Sequence, residues 1–405
     1  MRTISPRVKI GAVATAAVLV LAGCSRASDS ESSTADAGGN TAAATTDTGS
    51  AGTAGSNGAA GSNGAASGDA GSSAAPGSGG AAQSSGGAAG SGSAAGSGAA
   101  SAEATRVMAN CTPSTKANPY IAIVSKGFQH QFWQAVKQGA ESKAKELGAT
   151  ITFDGPASES DIQPQLDMLK TALNKKPDAL GFAALDSKAS EPILKQAQDA
   201  KIPVIAFDSG VDSDIPLTTA ATDSKAAAAE AAKQMADLID HKGTVGVVVH
   251  DQTSQTGMDR RDGFLEYMKA NEPDIKVLEP QYGGGDTAKS ADLAKSIIAG
   301  NPDIAGIYGS NEGSAIGVVQ GVKESGKKGI TVVGFDSGQA QIDAIKNGTE
   351  AGAITQNPIG IGEQVVESAV KALKCEPLPE KVDTGFFWYD KSNIDDPKIQ
   401  AVIYK

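Results

Sequence analysis

Residues 120–153 read YIAIVSKGFQHQFWQAVKQGAESKAKELGATITF. An apolar, β-branched run at 120–124 leads into a polar loop. Phe132, Val136, Ala140, Ala144 and Leu147 then recur at three- and four-residue spacing, the signature of one buried helix face. A second β-branched run follows at 150–153. Strand, helix and strand in this order form a crossover unit, because parallel strands need a long connection between them.

The same rhythm recurs along the chain. Further strands are expected at 179–183, 203–207, 244–249, 275–278, 304–308 and 330–335, and Ile162, Leu166, Leu169 and Leu173 mark another helix. Two rounds of four strands, separated by a long helix at 225–240, predict an α/β fold of two similar doubly wound parallel-sheet lobes. One closed barrel is the alternative reading of the same alternation. In open parallel sheets, ligands sit beyond the carboxyl ends of the strands. That rule selects the loops at 125–133, 250–261 and 310–313, together with Asp186, Asp208, Ser209 and Asp336.

Upstream of this region the composition changes. Residues 25–103 are almost wholly Gly, Ala, Ser, Thr, Asn and acidic residues. Such a segment buries too little apolar surface to offset the entropy of ordering, so a disordered tether is expected over 24–112. As a flexible coil, ~80 residues reach on the order of 50 Å. The first 23 residues read as a signal peptide, with Arg2, Arg7 and Lys9 ahead of a short apolar run. Leu21-Ala22-Gly23-Cys24 resembles the bacterial lipobox, which implies lipidation of Cys24 and attachment to the outer face of the cell membrane.

A formal net charge of -11, with Lys and Arg scattered among Asp and Glu, argues against nucleic acid and anionic membrane surfaces as partners. A small neutral ligand is the better fit. The three histidines, His130, His241 and His250, lack metal-ligand spacing, so neither metal nor cofactor is expected. With Cys24 lipidated, Cys111 and Cys375 remain as a pair in an oxidising compartment, where a disulfide is the expected outcome and two free thiols are the alternative.

Enzyme-like motifs dissolve on inspection. Gly321 to Lys327 has the glycine spacing of a phosphate loop, but Lys328 stands where Ser or Thr must hold magnesium. Gly360-Ile361-Gly362 lacks the third glycine of a dinucleotide fingerprint, and no Gly-x-Ser-x-Gly elbow occurs. No catalytic residue is assigned.

Six segments, in order, resemble the ribose-binding branch of the type I periplasmic binding proteins. They are Phe132-Trp133-Gln134-Ala135-Val136, Ile202 to Asp208, Arg260-Arg261-Asp262-Gly263-Phe264, Ser310-Asn311-Glu312, Val333-Gly334-Phe335-Asp336 and Thr355-Gln356-Asn357-Pro358. The resemblance covers about 119–405. It implies a monomeric solute-binding protein of an ABC importer, with a sugar or polyol held between lobes at about 113–223 with 357–384 and 224–356 with 385–405. Three hinge crossings are expected, near Asp223, Gln356 and Thr384. A sensory receptor of the same fold is the alternative function, and an extracellular glycosidase the enzyme alternative.

The residue chemistry suits a polyhydroxylated ligand. Phe132 and Trp133 offer faces for C–H groups, while Asp208 and Asp336, one from each lobe, accept from hydroxyls. Asn311 and Gln356 add mixed donor and acceptor capacity, and Arg260 belongs to the same set. The two Asp residues could instead cap the segments that follow them. Ser209 and Met258 stand where the ribose pattern has arginines, and Lys126 and His130 are the donors expected to replace them. These departures argue against ribose itself.

Overall fold

The computed structural model describes residues 105–404. The expected signal peptide, Cys24 and the tether as far as residue 104 lie outside the described residues. In the first lobe the chain forms β1 (Thr105–Arg106), β2 (Tyr120–Val124), α1 (Gln131–Leu147), β3 (Thr150–Asp154), α2 (Ile162–Asn174), β4 (Ala179–Phe182), α3 (Glu191–Asp199), β5 (Val204–Phe207) and β6 (Thr218–Ala221). It continues in the second as α4 (Ser224–Leu238), β7 (Gly243–Val249), α5 (Gln255–Asn271), β8 (Ile275–Val277), β9 (Gln281–Tyr282), α6 (Thr287–Gly300), β10 (Ile304–Gly309), α7 (Glu312–Ser325), β11 (Thr331–Phe335), α8 (Gln339–Asn347) and β12 (Gly352–Gln356). The chain then returns to the first lobe through α9 (Pro358–Leu373), β13 (Leu378–Pro379) and β14 (Lys381–Asp383), before β15 (Phe386–Asp390) and α10 (Pro397–Gln400).

The first sheet runs β14-β6-β5-β4-β2-β3, all parallel. The second runs β15-β12-β11-β10-β7-β8, with β9 also on β7 and only β15 antiparallel. Both sheets are open, which excludes the closed barrel. The inner strands β2, β4 and β5 are buried on two faces, and this is why the runs at 121–124 and 204–207 are continuously apolar. Helices α1 and α9 cover one face of the first sheet through Phe132, Trp133, Val136, Ile361 and Val365. Leu169, Ile193 and Leu194 of α2 and α3 cover the other. Glycines let α1 and α9 meet backbone to backbone: a Cβ on Gly362 would collide with the carbonyl of Val136, and one on Gly139 with that of Ile359.

Chain crossings at 222–223, at 357 and at 384–385 join the lobes, and two of them touch, Thr222 Oγ1 donating to Gly385 O at 3.1 Å. Cys111 and Cys375 are disulfide-bonded within the first lobe. At the chain end Ile399 and Ile403 pack with Ala353 and Tyr389 of the second lobe. Tyr404 touches both lobes: its ring packs on Phe132 of the first with centroids 6.1 Å apart, and its hydroxyl accepts from Ser337 N of the second at 3.2 Å.

Glu350 is buried beneath β11 and α8 with Gln341 as its hydrogen-bond partner, and burial pushes its carboxyl up to about 8. Glu350 Oε2 and Gln341 Oε1 both lack partners among the described residues. The unfolded chain releases this proton near the ordinary carboxyl value, whereas the folded chain holds it until about pH 8. Stability from this group is therefore full below the unfolded value and is lost as pH rises towards 8. Glu350→Gln should raise stability at pH 8 by about 1–3 kcal/mol and flatten the fall in Tm between pH 5 and 8. Thermal melts across that range check this, and a Gln variant with the wild-type slope would remove Glu350 as its source.

Candidate functional site

Phe-Asp-Ser-Gly occurs twice, at 207–210 and 335–338, at the carboxyl ends of β5 and β11. Each Asp takes a left-handed backbone, with φ of 55° at Asp208 and 82° at Asp336. Each donates its N–H to the neighbouring strand, Asp208 to Ala220 O at 2.9 Å and Asp336 to Ile354 O at 2.6 Å. The two lobes thus place a strained carboxylate at equivalent points, facing each other across the cleft. Such backbone strain concentrates at functional sites.

From the first lobe come the loop after β2 and the start of α1. Phe132 and Trp133 stand edge to face with centroids 5.0 Å apart, and Trp133 leans on Phe207. Trp133 Nε1–H donates to Glu159 Oε1 at 2.7 Å, and His130 Nδ1 lies 3.4 Å from the same oxygen. From the second lobe come Arg260, fixed by stacking 3.8 Å over the Phe335 ring and by Nη1 donating to Ser310 O at 3.0 Å. Asp336 accepts from Glu312 N at 2.9 Å and from Gln356 Nε2 at 2.7 Å.

Hydrogen bonds cross between the lobes. Lys126 Nζ donates to Thr256 Oγ1 at 3.1 Å and Ser254 Oγ at 3.3 Å, and Asn311 Nδ2 donates to Glu159 Oε2 at 3.2 Å. Glu312 of the second lobe accepts both Gln131 N and Phe132 N at 3.0 Å, so its carboxylate caps α1 of the first lobe. The lobes are closed. About 20 Å³ stays open between Lys126, Trp133, Asp208, Arg260 and Asp336, room for about one water, so a larger guest enters only when the lobes part. A larger groove of about 880 Å³ lies between α7 and α8, with exposed Lys323, Glu324, Lys328 and Asp343 on its rim and the buried pair Gln341 and Glu350 at its wall, away from the ends of β5 and β11 where the two lobes meet.

Residues 121–377 match the family model described as periplasmic binding protein domain, more than half of the chain. The chain belongs to that family. A D-allose-binding periplasmic protein of Escherichia coli (strain K12) is 30% identical over 270 residues, 64% of this chain and 86% of the relative. Two solute-binding proteins of ABC transporters from Agrobacterium vitis are each 34% identical. One, solved with D-fucose, has a TM-score of 0.68 and covers 70% of this chain and 100% of its own; the other, with α-D-tagatopyranose, has a TM-score of 0.69 and covers 71% and 100%. Periplasmic binding proteins act outside the cytoplasm and bind solutes rather than transform them. No helix among the described residues is long and apolar enough to cross a membrane.

The binding protein's cleft is crowded with ionisable groups, and burial sets their behaviour. Desolvation pushes Asp208 up to about 6, against the pull of Lys126 and Arg260. Burial lowers His250 to about 3, so it is neutral, with Nδ1 2.8 Å from Ser310 Oγ. For His130, burial works towards a lower value, but the Glu159 carboxylate outweighs it and the imidazole rises to about 9. Glu159 is held well below the carboxylate range because His130 and Lys126 overcome its own desolvation. No cluster of metal-ligating side chains occurs among the described residues.

Lys126, His130, Phe132, Trp133, Asp208, Arg260, Asn311, Asp336 and Gln356 all line the enclosed space. Ser209 stands behind it, buried, with Oγ accepting from Thr256 N at 3.5 Å. Met258 does not reach it. Thr256 and Arg260 are four residues apart on α5 and share the cleft-facing side, which turns the half-buried Met258 away. Glu159, His250 and Thr256 complete the lining without having been singled out. His250 and Thr256 lie in a loop the strand-end rule selects. Glu159 follows β3, and applying the same rule to that strand would have found it.

Proposed function

We propose that this periplasmic binding protein captures a small neutral sugar or sugar alcohol between its lobes and delivers it to an ABC permease in the membrane, acting as a monomer anchored through Cys24. The observation that carries the reading is the pairing of Asp208 and Asp336 across a cleft walled by Phe132 and Trp133. Carboxylates from opposite lobes bind neighbouring hydroxyls, and the aromatic faces take the C–H side of the carbon skeleton. Closed-form contacts from both lobes to one guest would shift the population towards closure, and the closed form presents both lobe surfaces to the permease. The sugars named for the E. coli relative and the two A. vitis structures support a monosaccharide.

A thermal-shift panel of D-allose, D-fucose, D-tagatose, pentoses and pentitols tests the reading. A cognate sugar at 100 times its Kd adds about 2.7 kcal/mol to the folded state. A panel that moves Tm nowhere, followed by calorimetry without heat, would sink it. For the anchor, Cys24→Ala should release the protein from membranes into the soluble fraction. Sedimentation of the processed Ala variant with membranes would refute lipidation as the attachment.

A further inference from the structure

Glu159 sits at the centre of a small group that neither hydroxyl binding nor hinge closure requires of it. It is 6% exposed and follows β3 in the first lobe. Its own N–H donates to Gln129 Oε1 at 3.2 Å, which fixes the loop beneath it. Oε1 takes the Trp133 indole N–H at 2.7 Å and faces His130 Nδ1 at 3.4 Å. Oε2 takes Asn311 Nδ2 from the second lobe at 3.2 Å. The other His130 nitrogen, Nε2, lies 3.0 Å from Gly285 O, a carbonyl it shares with the Gln129 amide nitrogen at 3.4 Å.

His130 Nδ1 therefore faces a carboxylate, while Nε2 faces the Gly285 carbonyl at 3.0 Å and, slightly farther off at 3.2 Å, the Gln129 amide nitrogen. Donating to the carboxylate and the nearer carbonyl at once takes the doubly protonated ring, because a neutral imidazole has one donor. We infer that Glu159 is a specificity-determining positioning residue, which fixes the plane of the Trp133 indole and keeps His130 a cation, so that the first lobe presents a rigid apolar face beside a fixed donor. This rests on the sugar-binding reading above. It makes Glu159 act through Trp133 and His130 rather than on the guest, since both its oxygens are occupied when the lobes are closed.

The surroundings agree. Beyond His130 lies Glu312, and beyond Glu159 lie Lys126, His250 and Asp208. His250 is neutral, so Lys126 is the other cation facing Glu159, and Glu312 adds to the field that favours charge on His130. The bonds from Glu159 to Trp133 and His130 lie within one lobe. They should persist when the cleft opens, whereas the bonds to Asn311 and Gly285 form only on closure.

The test has one arm without sugar and one with it. In the sugar-free wild-type protein at pH 7.5, long-range ¹H–¹⁵N spectra should show His130 doubly protonated, with His130→Gln assigning the signal among the three histidines. A neutral ring there overturns the inference. Glu159→Gln keeps an acceptor for the indole but removes the charge, and the His130 midpoint should drop by about 1 to 3 pH units. With whichever of D-allose, D-fucose and D-tagatose gives the largest thermal shift, wild-type affinity should be flat from pH 6.5 to 8. The Gln variant should bind roughly tenfold or more weakly than the wild type at pH 8, and the gap between the two should narrow at pH 6, where His130 regains its proton and both proteins lose affinity alike to protonation of Asp208. Wild-type affinity and pH profile in a folded Glu159→Gln protein overturn the inference. Absence of any sugar response in the wild type strikes the sugar reading alone, and the spectra of His130 still decide the role of Glu159.

Discussion

Asp208→Asn and Asp336→Asn should each weaken sugar binding by about 1.5–3 kcal/mol, roughly 10- to 150-fold, because each removes the charge from an acceptor of ligand hydroxyls. Asn is the informative replacement: both positions have positive φ, which Asn tolerates and Ala does not. The two variants should differ in stability. The Asp208 carboxylate accepts no hydrogen bond among the described residues and is pushed up to about 6 by burial. Neutral Asn at 208 removes the cost of a buried charge, so Tm should rise above pH 6 while binding is lost. Asp336 receives Glu312 N, Gln356 Nε2 and the nearby Arg260, so Asn there should lower Tm as well as affinity. Wild-type affinity should also fall as pH drops through about 6, since a protonated Asp208 is the poorer acceptor. Calorimetry and thermal melts read all of this. Unchanged affinity in both variants, with native circular dichroism, would place the site elsewhere.

What the chain discloses in advance depends on how local the signal is. All eight expected strands form, and the inner ones stand out as continuous apolar runs, as at 204–207, because a strand buried on two faces must be apolar throughout. Strands next to the crossings are less legible. Thr218–Ala221 is too short and too polar to stand out, and β14 has only Lys381, Val382 and Asp383. Phe386–Asp390 does carry an aromatic run, but its place as the antiparallel edge beside β12 follows from the hinge and not from periodicity. In the site, residues at the ends of recognisable strands are found by rule, and Asp208 and Asp336 are the clearest cases. Met258 shows where the rule fails. Beyond a strand end, once a helix has begun, direction follows a 100° step per residue, and a position two residues off the cleft-facing line turns away. The bond that joins Glu159 to Asn311, 152 residues distant, exists only once the two lobes meet.

Loss of the Cys111–Cys375 bond should be the largest single blow to stability, with little effect on the cleft. The bond closes a loop of 264 residues, nearly the whole described chain. In the chain-entropy account that restricts the unfolded state by an amount on the order of 5 kcal/mol. The native state offsets part of it. Ahead of β2, the segment is otherwise tied down by the two-residue β1–β13 pairing, by Arg106 on Asp214 and Glu380, and by Ser114 N donating to Leu373 O at 2.8 Å. Exposed ion pairs of this kind contribute little, so without the disulfide the segment frays and regains entropy while still folded. The expected loss is therefore below the full figure. At roughly 2–4 °C per kcal/mol for domains of 150–250 residues, Tm should fall on the order of 10 °C in the Cys111→Ala, Cys375→Ala double variant. Neither cysteine lines the enclosed space between the lobes, so sugar affinity at 25 °C should remain that of the wild type. Calorimetric melts with and without reductant separate the terms: the wild-type protein under reductant should melt with the double variant. Equal Tm in oxidised and reduced protein would mean that the bond constrains nothing the folded chain does not already hold.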